Sequence, residues 1–112
     1  MNRTYHRLLH EILTLPTSPL HEEHVVNYIR EWAAQHPAVR VRADEFGNLH
    51  LILKRRAIRS RRPLVLCAHM DHPGFEAVRM EDPRTLRAKW CNGVSKAYFH
   101  NAGVRFFVDD RW

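Results

Sequence analysis

The sequence contains few of the residues that mark several structural classes. Its 112 residues include two cysteines, Cys67 and Cys91, which lie far apart and form no CxxC pair, so a disulfide-rich secreted scaffold is excluded. With 4 glycines and 6 prolines, a collagen-like or low-complexity chain is excluded as well. No apolar run approaches the roughly 18 residues of a membrane-spanning helix, and the first residues lack the apolar core of a signal peptide. We therefore expect a soluble cytoplasmic protein with reduced thiols.

The composition is that of one globular domain with a basic surface. Apolar residues make up 45% and charged residues 27% of the chain, close to the globular average. Lysine and arginine total 18 against 12 acidic residues, a net charge of +6, which permits an anionic partner without demonstrating one. Nine histidines are many for this length, and because imidazole titrates near neutrality and binds metals, histidine is the first residue type to consider.

The first third of the chain has helical periodicity. Apolar residues recur at helical spacing in residues 2–14 and again in residues 20–35, which predicts two amphipathic helices. We expect Ser18 to cap the second helix and Pro19 to occupy its first position.

The pattern then changes to that of strands. Residues 39–42 alternate between valine and arginine, and Phe46-Gly47-Asn48 separates them from an apolar segment at 49–53, so we predict a β-hairpin. The uninterrupted apolar run at 64–68 predicts a strand that is buried on both faces. Further strands are expected at residues 75–80, 86–90 and 104–108. This order predicts an α/β fold with three αβα layers, incomplete because no helix follows to cover the second face of the sheet.

A candidate site follows the predicted buried strand. Ligands of open α/β sheets bind at the carboxyl ends of the central strands, and His69 and Asp71 occupy that end. Because residues i and i+2 of a strand point the same way, we expect the Asp71 carboxylate to approach the His69 imidazole. A carboxylate that accepts one ring N–H leaves the other nitrogen for a metal ion. The alternative, from these residues alone, is a histidine in a capped turn. The helical pair His21 and His24 lacks the glutamate of an HExxH motif and is expected on the surface.

Three segments of the chain resemble one enzyme family. Residues 66–75, LCAHMDHPGF, are similar to the A-H-M-D-x-x-G-F signature of the M42 dinuclear metal aminopeptidases, which are related to the M28 and M20 peptidases. Residues 15–19 with Glu22 resemble the P-T-S-x-x-E turn of that family, and residues 44–49 resemble its D-x-x-G-N hairpin turn. The three segments lie in the order of the family and cover about residues 8–80.

The resemblance implies a zinc-dependent aminopeptidase with a three-layer zinc-peptidase-like fold. His69 would be a metal ligand and Asp71 the catalytic residue that supports it. Residues 1–81 would belong to the catalytic domain, and residues 82–112 would begin a β-domain inserted into it. The family implies two zinc ions, peptide substrates and homo-oligomers. Its other metal ligands and its catalytic glutamate have no matching positions here, so we expect the chain alone to bind zinc weakly at most and to lack peptidase activity. His72-Pro73 departs from the residues usual in the family.

Two other functions stay open. One is a non-catalytic α/β interaction module that keeps the fold of the family and has lost its peptidase activity. The other is a basic nucleic-acid-binding module, to which the six cations in residues 54–62 would contribute. No aromatic residue interleaves these cations, and a solvated loop explains them more simply, so nucleic acid is the less favoured partner. We expect no membrane partner.

Overall fold

The computed structural model of the chain describes residues 3–54 and 64–112. The described strands pair antiparallel in two separate hairpins, each strand with its neighbour in the chain. None of the described helices is long and apolar enough to cross a bilayer. The described residues thus combine helices with two small antiparallel sheets, which is a mixed α and β fold. The elements are α1 (Arg3–Leu13), α2 (Glu23–Ala34), β1 (Val39–Ala43), β2 (Leu49–Leu53), β3 (Gly74–Asp82), β4 (Thr85–Cys91) and a 3-10 turn (Lys96–Phe99).

Both predicted helices are confirmed, but the second begins later than expected. Ser18 does not cap it. Instead, Ser18 and His21 form a small turn in which the His21 backbone N–H donates to the Ser18 carbonyl at 2.9 Å. Leu20 in this turn has a φ of 71°, which a right-handed helix excludes, so the helix starts at Glu23. Glu22, the residue before α2, makes no side-chain cap.

Helix α2 provides the buried residues of the N-terminal region. Val25 is 3% exposed and Ala33 is 6% exposed, whereas no residue of α1 is buried. The two helices are joined through Glu11, whose carboxylate accepts hydrogen bonds from Tyr28 Oη and from Arg7 Nε, both at 2.6 Å. The Arg7 bond holds the pKa of Glu11 below its usual value. A polar contact therefore fixes α1 against α2, where apolar burial contributes little.

The predicted hairpin β1–β2 is confirmed and packs on α2. In its register Val39 pairs with Leu53 and Val41 pairs with Leu51. The two valines of β1 and Ala33 of α2 line one gap between the strand and the helix. Because strand side chains alternate, the arginines of β1 lie on the opposite, exposed face.

The turn of this hairpin is organised by one carboxylate. Asp44 Oδ1 accepts the backbone N–H of Phe46 at 3.0 Å and of Asn48 at 2.9 Å, and Asp44 Oδ2 accepts from the Asn48 side-chain amide at 2.9 Å. The Asn48 amide is the main cause of the lowered pKa of Asp44. Gly47 has a φ of 85°, a conformation that a residue with a side chain adopts at a cost.

The predicted buried strand at residues 64–68 is wrong. These residues form no strand, and Leu64, Val65 and Leu66 are 87%, 71% and 87% exposed. A strand that is buried on both faces needs a neighbouring strand at each edge and a helix on each face. Among the described residues, no strand pairs with residues 64–68 and no helix covers them. Residues 104–108 also form no strand, apart from an isolated bridge between Val108 and Arg111. The basic run at 54–62 lies, from residue 55 onward, outside the described residues.

The molecule exposes more surface than a compact protein of its size. Its accessible surface is 10,340 Å², whereas a compact monomer of this mass exposes about 6,500 Å². The radius of gyration is 18.2 Å, against about 13 Å for a compact domain of this length. A three-layer arrangement is therefore not present among the described residues, and apolar side chains stay uncovered.

Candidate metal-ligand site

His69 and Asp71 lie together in the segment that leads into β3. His69 Nδ1 is 3.2 Å from Asp71 Oδ1 and 2.8 Å from the Asp71 backbone oxygen. The expected approach of the Asp71 carboxylate to the imidazole is thus observed, but in an irregular segment and not on a strand. The hydrogen bond goes to the Asp71 backbone oxygen, which can only accept, so Nδ1 donates it. In the neutral ring, Nε2 then keeps its lone pair.

The two side chains differ in exposure. The His69 side chain is 79% exposed, whereas that of Asp71 is 27% exposed. A polar contact so open to water adds little to the stability of the fold, so its effect is to orient the ring. A carboxylate that holds the far nitrogen of a histidine is the arrangement found behind metal-ligating histidines.

The site provides one metal ligand and not a set. Within residues 3–54 and 64–112, no three histidine, cysteine or acidic side chains converge on a point that a metal ion could occupy. A catalytic zinc ion ordinarily takes three protein ligands. His69 therefore fits the position of a single ligand, and a zinc ion bound there would need further ligands from beyond the described residues. His72, which follows Asp71 in the sequence, is half-buried.

Two of the three segments that carry the family resemblance meet in space. A Cβ atom placed on Gly74 would lie 3.0 Å from Ser18 Cβ and 3.4 Å from the Thr17 carbonyl oxygen. The turn before α2 therefore packs against the backbone at the start of β3, three residues after Asp71. The third segment, around Asp44, forms its own hydrogen-bonded turn.

A cavity of about 510 Å³ opens beside this contact. Its walls come from the turn before α2, from the first residues of β3 and from the last residues of the chain. No pattern in the sequence predicts this cavity, and the helical spacing predicts His24 on the surface. The structure places the His24 ring 5.0 Å from that of Phe107. No local pattern signals such a contact, because the two residues are far apart in the sequence.

Comparison with known proteins adds no relative. No protein-family model, curated protein or solved structure matches this chain. The resemblance to the M42 peptidases therefore rests on the three segments themselves. The roles of His69 as metal ligand and Asp71 as catalytic residue stay predictions.

Proposed function

We propose that this chain is the N-terminal part of a zinc-dependent aminopeptidase-like metallopeptidase with an αβα fold. The observation that carries the proposal is the His69–Asp71 pair, with 3.2 Å between Nδ1 and Oδ1. In this arrangement Nδ1 donates a hydrogen bond to the backbone oxygen of Asp71 beside the carboxylate, and Nε2 of the neutral ring is the atom available to a metal ion. A bound divalent ion would supply Lewis-acid polarisation of the peptide carbonyl and a more acidic water.

The apolar segment 64–68 supports the same proposal. Its side chains at positions 64, 65 and 66 are exposed, and the segment forms no strand among the described residues. In the complete three-layer fold that we propose, it would be a central strand whose neighbouring strands and helices the described residues do not supply. The segment ends at His69, and the carboxyl end of a central strand is where α/β proteins bind their ligands.

The division of the chain follows from the proposal. Residues 1–81 belong to the catalytic domain and residues 82–112 begin the inserted β-domain, with the β3–β4 hairpin leading from one to the other. Peptides are the substrates of the complete enzyme, and it assembles as a homo-oligomer. Because His69 is one ligand of a larger set, the 112 residues alone bind zinc weakly and do not hydrolyse peptides.

Zinc titration followed by NMR of the histidine rings tests the proposal. We expect Zn²⁺ to shift the His69 resonances, His69→Ala to abolish this response, and Asp71→Asn to weaken binding about 10-fold or more because the ring loses its orienting carboxylate. His50→Ala is the matched control, since His50 Nε2 lies 3.4 Å from Asp44 Oδ2 and is therefore also a histidine beside an aspartate. Zinc affinity that is equal in His69→Ala and the unaltered chain would remove His69 from the site.

The non-catalytic interaction module is the second candidate. The uncovered apolar surface favours it, because large exposed apolar patches mark interaction sites. The same titration separates the two functions, since an interaction module has no reason to bind zinc through His69.

A further inference from the structure

Strand β2 leaves one edge of its sheet open. The sheet has two strands, so the backbone groups on the side of β2 away from β1 have no strand partner among the described residues. Proteins ordinarily protect such an edge with charged residues, prolines or bulges, because an unprotected edge pairs with other chains. Among the described strands, β2 alone contains no lysine, arginine, aspartate or glutamate, and it contains no proline. Its outer edge is therefore able to accept a further strand.

The side chains of β2 are also open to contact. Leu51, Ile52 and Leu53 are 45%, 39% and 53% exposed. Leu51 and Leu53 lie on the face that carries the β1 valines, and Ile52 lies on the opposite face. Because both faces present apolar surface at this edge, the strand that fits it is one with apolar side chains on both faces.

The segment 64–68 has the composition that this edge requires. Its sequence, LVLCA, is apolar at every position, so any register places apolar side chains on both faces. It contains no proline or glycine and is five residues long, which is the length of β2. Its first three side chains are exposed, and in its own chain it pairs with no described strand. A second copy of the chain therefore offers β2 a matching strand.

The uncovered surface is larger than a stable dimer needs. The accessible surface of 10,340 Å² exceeds that of a compact chain of this mass by about 3,800 Å². A specific interface buries about 1,200–2,000 Å² in total, which the two partners share. Pairing of β2 with β2 would leave the segment 64–68 uncovered in both copies. A reciprocal exchange covers both elements in both copies and closes the assembly at two chains.

We propose that two copies of this chain form a symmetric dimer by reciprocal strand addition. The segment 64–68 of each copy pairs with the outer edge of β2 in the other copy. Backbone hydrogen bonds supply affinity, and apolar side chains cover each other on both faces. The pairing depends on protein concentration, so the segment stays uncovered in dilute solution. Neither zinc nor His69 takes part, and the dimer does not depend on the proposed metallopeptidase function.

A mixture of copies that carry a nitrogen isotope label and copies that carry a carbon isotope label tests the pairing. Isotope-filtered NMR of the mixture should show contacts between copies that join residues 64–68 to β2. Contacts between copies that join β2 to β2, or contacts of residues 64–68 with β2 within one copy alone, overturn the proposal. A chain that ultracentrifugation finds monomeric at the concentration used for NMR overturns it as well.

A paired substitution in the segment separates strand pairing from side-chain contact. Val65→Pro together with Leu66→Pro removes two consecutive backbone N–H groups, one of which faces the partner strand in any register. This variant should weaken dimerisation at least about tenfold, without loss of folded stability because both side chains are exposed. Val65→Thr together with Leu66→Thr is the matched control, which keeps both N–H groups and a high β propensity and should weaken dimerisation by a smaller factor. Equal losses in the two variants would show that side-chain contact alone holds the dimer, contrary to the proposal.

A substitution in β2 tests the other side of the interface. Ile52→Lys gives the strand the edge charge that it lacks and should weaken dimerisation about tenfold. Phe46→Lys adds the same charge at an exposed residue in the turn of the same hairpin and should leave dimerisation nearly unchanged. Equal affinity in Ile52→Lys and the unaltered chain contradicts the assignment of β2 as the acceptor strand.

Discussion

Strand β2 and the segment 64–68 are both five residues long and mostly apolar, yet they behave differently. Strand β2 pairs along its full length with β1. The segment 64–68 forms no strand, and its first three side chains are largely exposed. Apolarity is similar in the two segments, so it does not decide between them. What differs is the supply of neighbours from the described residues.

The supply of neighbours depends on how far along the chain they lie. Strand β1 precedes β2 by a short turn that Asp44 and Gly47 organise, so the pair forms from local contacts. A strand buried on both faces needs neighbours brought from distant parts of a sequence, usually through crossover helices. Residues close in the sequence therefore provide β2 with a pairing strand, whereas they provide none for the segment 64–68.

The largest expected effect tests this comparison with one substitution made in two places. Val25→Ala should lower the free energy of unfolding by about 2 kcal/mol, because this side chain is buried on α2. Val65→Ala should change it by less than about 0.5 kcal/mol, because that side chain is exposed. Urea denaturation followed by circular dichroism measures both. Similar losses in the two variants would mean that the segment 64–68 is packed in solution.

A second test breaks the turn that makes β2 local. Gly47→Ala should destabilise the chain by about 1 kcal/mol, because Gly47 has a positive φ while no heavy atom crowds the added methyl group. Gly93→Ala is the matched control, in equally open space and without a positive φ, and should change stability little. A loss in the control as large as in Gly47→Ala would argue against backbone conformation as the cause.

A third test uses pH at the same turn. Folding lowers the pKa of Asp44 from its ordinary value of 3.8, mainly through the Asn48 amide, so the folded state favours the ionised carboxyl. Its stabilisation is complete above that ordinary value and is lost as the pH falls through the lowered pKa. Asp44→Asn should flatten the acid limb of the stability curve. Part of the limb remains, because the pKa values of Glu11 and Asp82 are also lowered. An unchanged acid limb would contradict the role of Asp44.

The smallest expected change in stability comes with a change in association. Leu66→Lys replaces an exposed side chain, so we expect unfolding to be unaffected and concentration-dependent association, measured by light scattering, to fall. Leu20→Lys adds the same charge at another exposed leucine, 90% exposed, and controls for net charge. Equal reductions in the two variants would show that charge, and not the segment 64–68, governs association.

The parts of the fold that sequence predicts here are those with local causes. Periodicity places α1 and α2, and alternation with a turn places β1 and β2. The pairing of His69 with Asp71 was also predictable, since two residues so close in sequence meet in several backbone conformations. The assumption of a strand between residues 64 and 68 failed because it required partners that the sequence pattern implies and the described residues do not provide.

The rest depended on contacts that no pattern encodes. Ser18 has the chemistry of a helix cap, but the bend at Leu20 delays the helix to Glu23. Ring contacts bring His24 to Phe107 and Phe75 to Phe99, and the residues of each pair lie far apart in the sequence. The sequence places Thr17 in a turn, and the burial of its hydroxyl without a hydrogen-bond partner follows from the packing around it among the described residues.

The close approach of Gly74 to the turn before α2 has a consequence for how the protein can vary. Since a Cβ on Gly74 would meet Ser18 Cβ at 3.0 Å, any side chain gained at position 74 requires the turn to retreat or to lose bulk. Positions 18 and 74 therefore constrain each other as a pair, and a substitution at one is tolerated in step with the other. In a library randomised at positions 18 and 74, the folded members should therefore keep the summed volume of the two side chains nearly constant. A larger residue at position 74 should occur together with a smaller residue, such as glycine, at position 18.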